Sequence, residues 1–293
     1  MSTQTQLMET AGRRSPWLAP ALVLSGLVVA LYAPVLQRLV LQWWQDPNYG
    51  HGFVVPVFSG YLLWQGRSHW QKVPLEPSNS GMLVMLAAIG LLFAGTLGAE
   101  LFVSRFSLLV LLAGMVVYLA GWTMLRALAF PLGYLTLMIP LPAILYNEVT
   151  FPLQLMASRF AAAFLEAVQV PVLREGNLLI LPNYTLEVVE ACSGVRSLMS
   201  LVALAIAYGY VVERRSWARA LLLALMLPIA VVCNALRVVA TGVLTYSFGP
   251  ESAEGFFHLF SGWMIFLTAL VLMLLAHWLL SQIGRSGRET AHA

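Results

Sequence analysis

The sequence predicts an all-α polytopic membrane protein of about eight transmembrane helices, and three observations carry that expectation: an excess of apolar residues, their recurrence in runs of spanning length, and an uneven placement of basic residues. Sixty per cent of the 293 residues are hydrophobic and 10% are charged, against roughly 45–50% and about 25% in an ordinary soluble domain. A soluble core of this size does not need that much apolar surface, so lipid is the solvent for most of it. The runs fall at about 17–36, 51–66, 81–98, 107–122, 127–145, 197–212, 219–243 and 259–281. The first follows Arg13 and Arg14 as a secretory signal would, but it is long enough to span and shows no small-residue cleavage site, which makes it an uncleaved helix. The second reaches spanning length only if His51 to Gly66 are taken together.

Eight spans return both termini to one side. With the N-terminus inside, the inner segments hold Arg13, Arg14, Arg67, Lys72, Arg126, Arg214, Arg215, Arg219, Arg285 and Arg288, ten of the sixteen Lys and Arg residues, so the orientation is N-in and C-in. Only one outer connection is long, from about Asn147 to Arg196. Within it Phe151 to Val168 reads as a short amphipathic interfacial helix carrying Arg159 and Glu166. Leu178 to Leu181 and Tyr184 to Val189, β-prone and separated by Pro182-Asn183, read as a hairpin-like segment on the outer surface. No repeat or appended soluble domain interrupts the chain, so residues 1–293 read as a single integral membrane domain.

Several function classes are disfavoured. No basic stripe with interleaved aromatics points to nucleic acid. Two cysteines, Cys192 and Cys233, are too few for a disulfide framework and lack zinc-ligand spacing, so neither a metal nor another cofactor is expected. A transporter usually needs a polar pathway through the midplane, whereas the ionisable candidates here gather at one face.

Ionisable groups inside a span are costly, so each needs a reason. Cys192 and Ser193 lie where the outer segment becomes the sixth span, with Gly194 permitting a tight junction. A helix N-terminus and Arg196, four residues on, both favour thiolate; Glu190 would raise the thiol pKa or orient a partner. Arg237 stands eighteen residues beyond Arg219 on the seventh span, about 27 Å at 1.5 Å per residue, which brings it to the depth of Cys192. Asn234 and Cys233 share its face. His258 opens the last span at the same boundary. Each residue alone has a bland alternative: apolar filler for Cys192, snorkelling for Arg237, an inert interfacial ring for His258. Together they suit acyl transfer, with Cys192 as nucleophile, His258 moving the proton and Arg237 stabilising the oxyanion, Asn234 supporting it. His51 in NYGHGF is either a second histidine lining the site or a loop residue between flexible glycines, and the loop reading is preferred. Cys233 is expected to pack, and Trp43-Trp44 to anchor at the interface.

At these residues the sequence resembles the exosortase/archaeosortase family. The resemblance rests on WWQDPNYGHGF, LREGNLLILPNYTLEVVEACSGVRSL, NALRVV and FHLFSGW in that order, and covers Trp43 to Trp263. It implies a bacterial inner-membrane cysteine protease or transpeptidase with its site facing the periplasm, which cleaves C-terminal sorting signals of the PEP-CTERM type from membrane-anchored substrates and is tied to exopolysaccharide and biofilm surface proteins. It also implies a triad of Cys192, Arg237 and His258. Some relatives carry a periplasmic domain after the last span; this chain ends at Ala293, so such a domain, if required, would be a separate accessory protein. The competing reading is a non-enzymatic membrane component of polysaccharide export or polymerisation, in which Arg237 holds an anionic lipid-linked sugar.

Overall fold

The computed structural model describes residues 18–182, 184–188, 195–249 and 256–289. It is mostly helical. Numbering the longer elements in chain order, the helices are α1 (Leu18–Gln45), α2 (Val54–Gln65), α3 (Ser80–Leu97), α4 (Leu101–Ala120), α5 (Ala143–Ala167), α6 (Val195–Val212), α7 (Ser216–Phe248) and α8 (Phe256–Glu289). Three short strands, β1 (Leu173–Glu175), β2 (Leu178–Leu181) and β3 (Tyr184–Glu187), lie between α5 and α6. The chain divides into two compact units, residues 1–42 with 75–125, and residues 43–74 with 126–293.

In the first unit α1 packs on the α3/α4 hairpin. Tyr32, Ala88, Leu92, Leu108 and Leu111 form its apolar centre, and the Tyr32 and Ser107 hydroxyls meet at 2.9 Å. The hairpin closes tightly because small residues line it. Gly81, Ala88 and Gly95 recur every seven residues on the buried face of α3. A Cβ at Gly81 would collide with the Tyr118 backbone, and one at Gly95 with that of Ser104. This is how helices associate where lipid removes the hydrophobic drive between them. Glu100 starts α4, its carboxylate accepting the Phe102 N–H at 3.1 Å.

In the second unit α6, α7 and α8 form an antiparallel bundle. Three residues, Glu213 to Arg215, turn α6 into α7. Leu201 and Ala205 of α6, Leu222, Met226 and Cys233 of α7, and Ala269 and Met273 of α8 make one buried cluster. Helix α5 and the sheet lie against the later part of α7: Ala157, Ala161 and Leu165 pack with Leu179, Leu186 and Val188 and with Val238 and Val239. The sheet is antiparallel in the order β1-β2-β3, and the Ser158 hydroxyl donates to Gly176 O at 2.9 Å, fastening its first turn to α5.

The expectation of eight spans meets a different count. Among the described residues four helices are long and apolar enough to cross a membrane, in α1, α3, α4 and α7, and five if one bent pair is a single span. Helix α2 has twelve residues, about 18 Å, too short alone. The run at 127–145 is not one helix: a helical stretch at 129–138 and α5 meet at 78°, separated by Ile139-Pro140-Leu141-Pro142. Prolines remove helical donors and push the residue before them out of the helical region, so the bend falls there. The expected interfacial helix at 151–168 is the continuation of α5, 25 residues long. In α6 and α8 the apolar stretches found are 199–212 and 266–282.

Candidate functional site

The antiparallel bundle sets three chain positions at one end: the start of α6, the later part of α7 and the start of α8. Of the residues expected to carry chemistry, Cys192, Ser193 and Glu190 lie outside the described residues. Arg196 is the second residue of α6 and His258 the third of α8, described as helical backbone. Arg237, Asn234 and His51 are described with their side chains.

Arg237 is buried on α7, with 9% of its surface exposed. Asn234, three residues earlier and so on the same face, is fully buried, and neither atom of its carboxamide finds a hydrogen-bond partner among the described residues. A buried amide left in that condition costs on the order of 1–3 kcal/mol, which sequences rarely carry without a use for the group. Cys233 sits in the apolar cluster of the bundle, the packing role expected of it. The neighbours of Arg237 in sequence, Val238 and Val239, pack in the same cluster as Val188, the last described residue before the gap that contains Cys192.

His51 is held more firmly than a residue between flexible glycines would be. It lies in the 3-10 turn Pro47–Phe53, which Asp46 opens by accepting the Asn48 N–H at 2.9 Å. Trp43 anchors the turn: its indole N–H donates to Met138 O at 2.9 Å, and its ring meets Phe53 edge-on at 5.2 Å. The indole leaves no room for a Cβ at Gly52, so that glycine serves a close approach. Trp43 is therefore buried, contrary to its expected anchoring role at the interface, while Trp44 is 80% exposed as an anchor would be.

The imidazole lies between the broken span and α6. Its Nε2 is 3.3 Å from Leu137 O, and its Nδ1 is 3.5 Å from the Ser200 hydroxyl. A carbonyl only accepts, so a ring nitrogen that faces Leu137 O or the Asn48 backbone carbonyl donates when it carries the proton, and the Ser200 hydroxyl donates to or accepts from Nδ1 according to the tautomer. Sequence reasoning missed Ser200 and Leu137. The first is 149 positions from His51 and the second 86, and no local pattern links them. Beside His51 and Ser200 an open cavity of about 420 Å³ runs along α6 as far as Val212, walled by Phe58, Tyr134, Leu204 and Phe266.

At the opposite end of the bundle a polar clasp joins the three helices. Tyr208 Oη and His277 Nδ1 are 2.9 Å apart, His277 Nε2 stands 3.6 Å from a Glu213 carboxylate oxygen, and Arg219 Nε donates to Glu213 O at 2.6 Å. The Arg215 N–H, donating to the other Glu213 carboxylate oxygen at 2.9 Å, holds this carboxyl below the usual range. The clasp fixes how α6, α7 and α8 align, and so how their other ends meet.

Among the described residues no group of three or more His, Cys, Asp or Glu side chains is placed to hold a metal ion. Helices of membrane-spanning length, with an arginine and an asparagine buried in the longest of these apolar helices, define a multi-pass membrane protein that bears polar groups within its helical bundle. The chain belongs to the transmembrane exosortase family, whose model matches residues 43–275. No curated protein and no solved structure matches it.

Proposed function

We propose that this protein is a cysteine protease or transpeptidase that cleaves C-terminal sorting signals of the PEP-CTERM type from exported, membrane-anchored proteins, at the periplasmic face of a bacterial inner membrane. Family membership supports the class of enzyme. The observation that supports the assignment to residues is the burial on one face of α7 of Arg237 and of the Asn234 carboxamide, which has no partner among the described residues, in a bundle whose other two helices begin at the same end, one three residues after Cys192 in sequence and the other with His258 as its third residue.

In the proposed reaction the Cys192 thiolate attacks the scissile carbonyl carbon, and the carbonyl oxygen takes the negative charge. Arg237 stabilises that oxyanion, with Asn234 as a second donor. The C–N bond then breaks, the His258 imidazolium gives its proton to the departing amine, and a thioester remains on Cys192. An amine or water attacks the thioester, loses its proton to the imidazole, and returns the thiolate. Glu190, Ser193 and Arg196 surround the nucleophile in sequence and tune its pKa or contact substrate, while His51 supports the N-terminal half of α6 through Ser200.

Chain length is compatible with this convergence. Cys192 lies four positions beyond Val188, at most about 14 Å of extended chain, and Val188 packs in one cluster with Val238. The test is substitution of Cys192 by alanine in cells that also express a protein ending in a Pro-Glu-Pro-like motif, an apolar span and a basic tail. Full-length substrate should accumulate in the membrane. If processing instead persists while loss of Arg237 abolishes polysaccharide export, the non-enzymatic reading takes its place.

A further inference from the structure

The cavity beside His51 and Ser200 takes no part in the steps proposed for Cys192. Two helices that run the same way, α2 and α6, form most of its wall. At one end His51 Nδ1 stands 3.5 Å from the Ser200 hydroxyl. Further along, the Phe58 ring of α2 meets Tyr134 at 5.2 Å, and the Tyr134 hydroxyl donates to Ala203 O of α6 at 3.1 Å. The space then continues past Tyr61 of α2 and Tyr208 and Val211 of α6 to Val212. No aspartate, glutamate, lysine or arginine lines it. Two of its tyrosine hydroxyls are already engaged, that of Tyr134 with Ala203 O and that of Tyr208 with His277. Such a wall disfavours a charged or sugar ligand along its length and suits hydrocarbon.

Length selects among apolar ligands. From Ser200 to Val212 the groove follows twelve steps of helix, about 18 Å. A hydrocarbon core of about 30 Å gives each leaflet about 15 Å, so the groove has the depth of one leaflet. It is too short for an apolar helix of about 20 residues, and it stops at the polar His51 and Ser200 pair, where such a helix would have to continue. An acyl chain reaches no further than its own leaflet.

The other end is basic. Arg67 stands two positions beyond the last residue of α2 and Arg214 two beyond the last residue of α6, and both are exposed. The Arg67 guanidinium lies over the Trp64 ring at 4.7 Å, a contact made through its face that leaves the N–H groups of its edge able to donate. Basic side chains at the membrane boundary attract anionic headgroups.

We propose that this groove holds one acyl chain of an anionic phospholipid, with the phosphate at the end marked by Arg67 and Arg214 and the tip of the chain beside His51 and Ser200. The site lies within the second unit and does not depend on the chemistry proposed for Cys192.

The test uses the full-length protein in phosphatidylcholine bilayers containing a minority of phosphatidylglycerol that bears a photoreactive diazirine at the tip of one acyl chain. Retained lipid is counted by native mass spectrometry, and labelled residues are mapped after illumination. The wild type should retain phosphatidylglycerol above its bulk share and take the label in residues 51–58 and 200–204. Arg67→Gln and Arg214→Gln should each lower the enrichment by about fivefold, the equivalent of roughly 1 kcal/mol per arginine near the surface. Val211→Trp fills the groove from a half-exposed position and should remove the label. Val57→Trp, on α2 but outside the groove, and Arg159→Gln, on α5, should leave both readouts as in the wild type. The proposal is overturned if the wild type retains the two lipids in their bulk ratio or takes no label in those segments. It is equally overturned if the arginine variants and Val211→Trp behave as the wild type does, if Val57→Trp or Arg159→Gln loses lipid as fully as they do, or if the protein runs as a dimer that excludes the label from the groove.

Discussion

The α3/α4 hairpin and the α6/α7/α8 bundle solve helix association in different ways. In the hairpin, glycine and alanine let backbones touch, and the buried face of α3 is made of Gly81, Ala88, Leu92 and Gly95. In the bundle, larger side chains interdigitate and α7 buries Asn234 and Arg237 besides. Close small-residue packing leaves no space for chemistry and asks only for stability. A bundle that accepts a buried guanidinium, and an amide with no partner among the described residues, gives up stability for groups that can act. Substitutions in the two regions should therefore separate stability from activity.

The largest expected effect is on activity. Arg237→Lys keeps the charge and loses the planar fork; processing of a sorting-signal substrate should fall by about 10²–10³-fold, the scale of losing an oxyanion donor, with little change in the melting temperature. A pulse-chase of substrate alongside thermal unfolding of the purified variant checks both. Next is Gly81→Leu, where the new side chain meets the Tyr118 backbone and the Gly114 carbonyl. It should destabilise the protein by about 1–3 kcal/mol or more, and processing should fall only in proportion to folded protein, measured by detergent-resistant monomer.

A subtler contrast comes from Asn234→Leu. Replacing a buried amide that has no partner among the described residues by an apolar group of similar size should leave stability unchanged or raise it by about 1 kcal/mol, while processing declines. Lower stability with full processing would mark Asn234 as structural. The smallest effect is expected at Glu213. Its carboxyl is held below the usual range by the Arg215 N–H, so the stability it lends is present above the ordinary carboxylate pKa and is lost as pH falls through the lowered value. Wild type should lose melting temperature on strong acidification by slightly more than Glu213→Gln, and processing near neutrality should match.

How much of this could be read in the sequence follows from the same contrast. The run at 81–98 became α3 at Ser80–Leu97 because nothing polar interrupts it. Helix α4 begins six residues before the apolar run suggested, since Glu100 caps it and Arg105 sits inside it, burying a charge that composition alone places outside a span. Strand β1, Leu-Arg-Glu, was not expected: it has no apolar alternation and exists because β2 pairs with it, Leu173 opposite Ile180. The β2/β3 hairpin was legible, since Pro182-Asn183 marks its turn, and β3 ends at Glu187, two residues before the expected Val189. Arg237 was singled out by counting helical rise from a basic loop, and the structure buries it on α7. Ser200 and Leu137, which hold His51, are joined to it only by the fold.

The central claim is that Cys192 forms a thioester with substrate, and hydroxylamine tests it most directly. In membranes holding enzyme and substrate, this nucleophile should attack the thioester carbonyl, expel the Cys192 thiolate and leave a hydroxamate at the new C-terminus of the processed protein, visible by mass. The wild type should yield that hydroxamate, and Cys192→Ala should yield neither hydroxamate nor cleavage. Cleavage by Cys192→Ala, or hydroxamate formed without Cys192, would contradict the account.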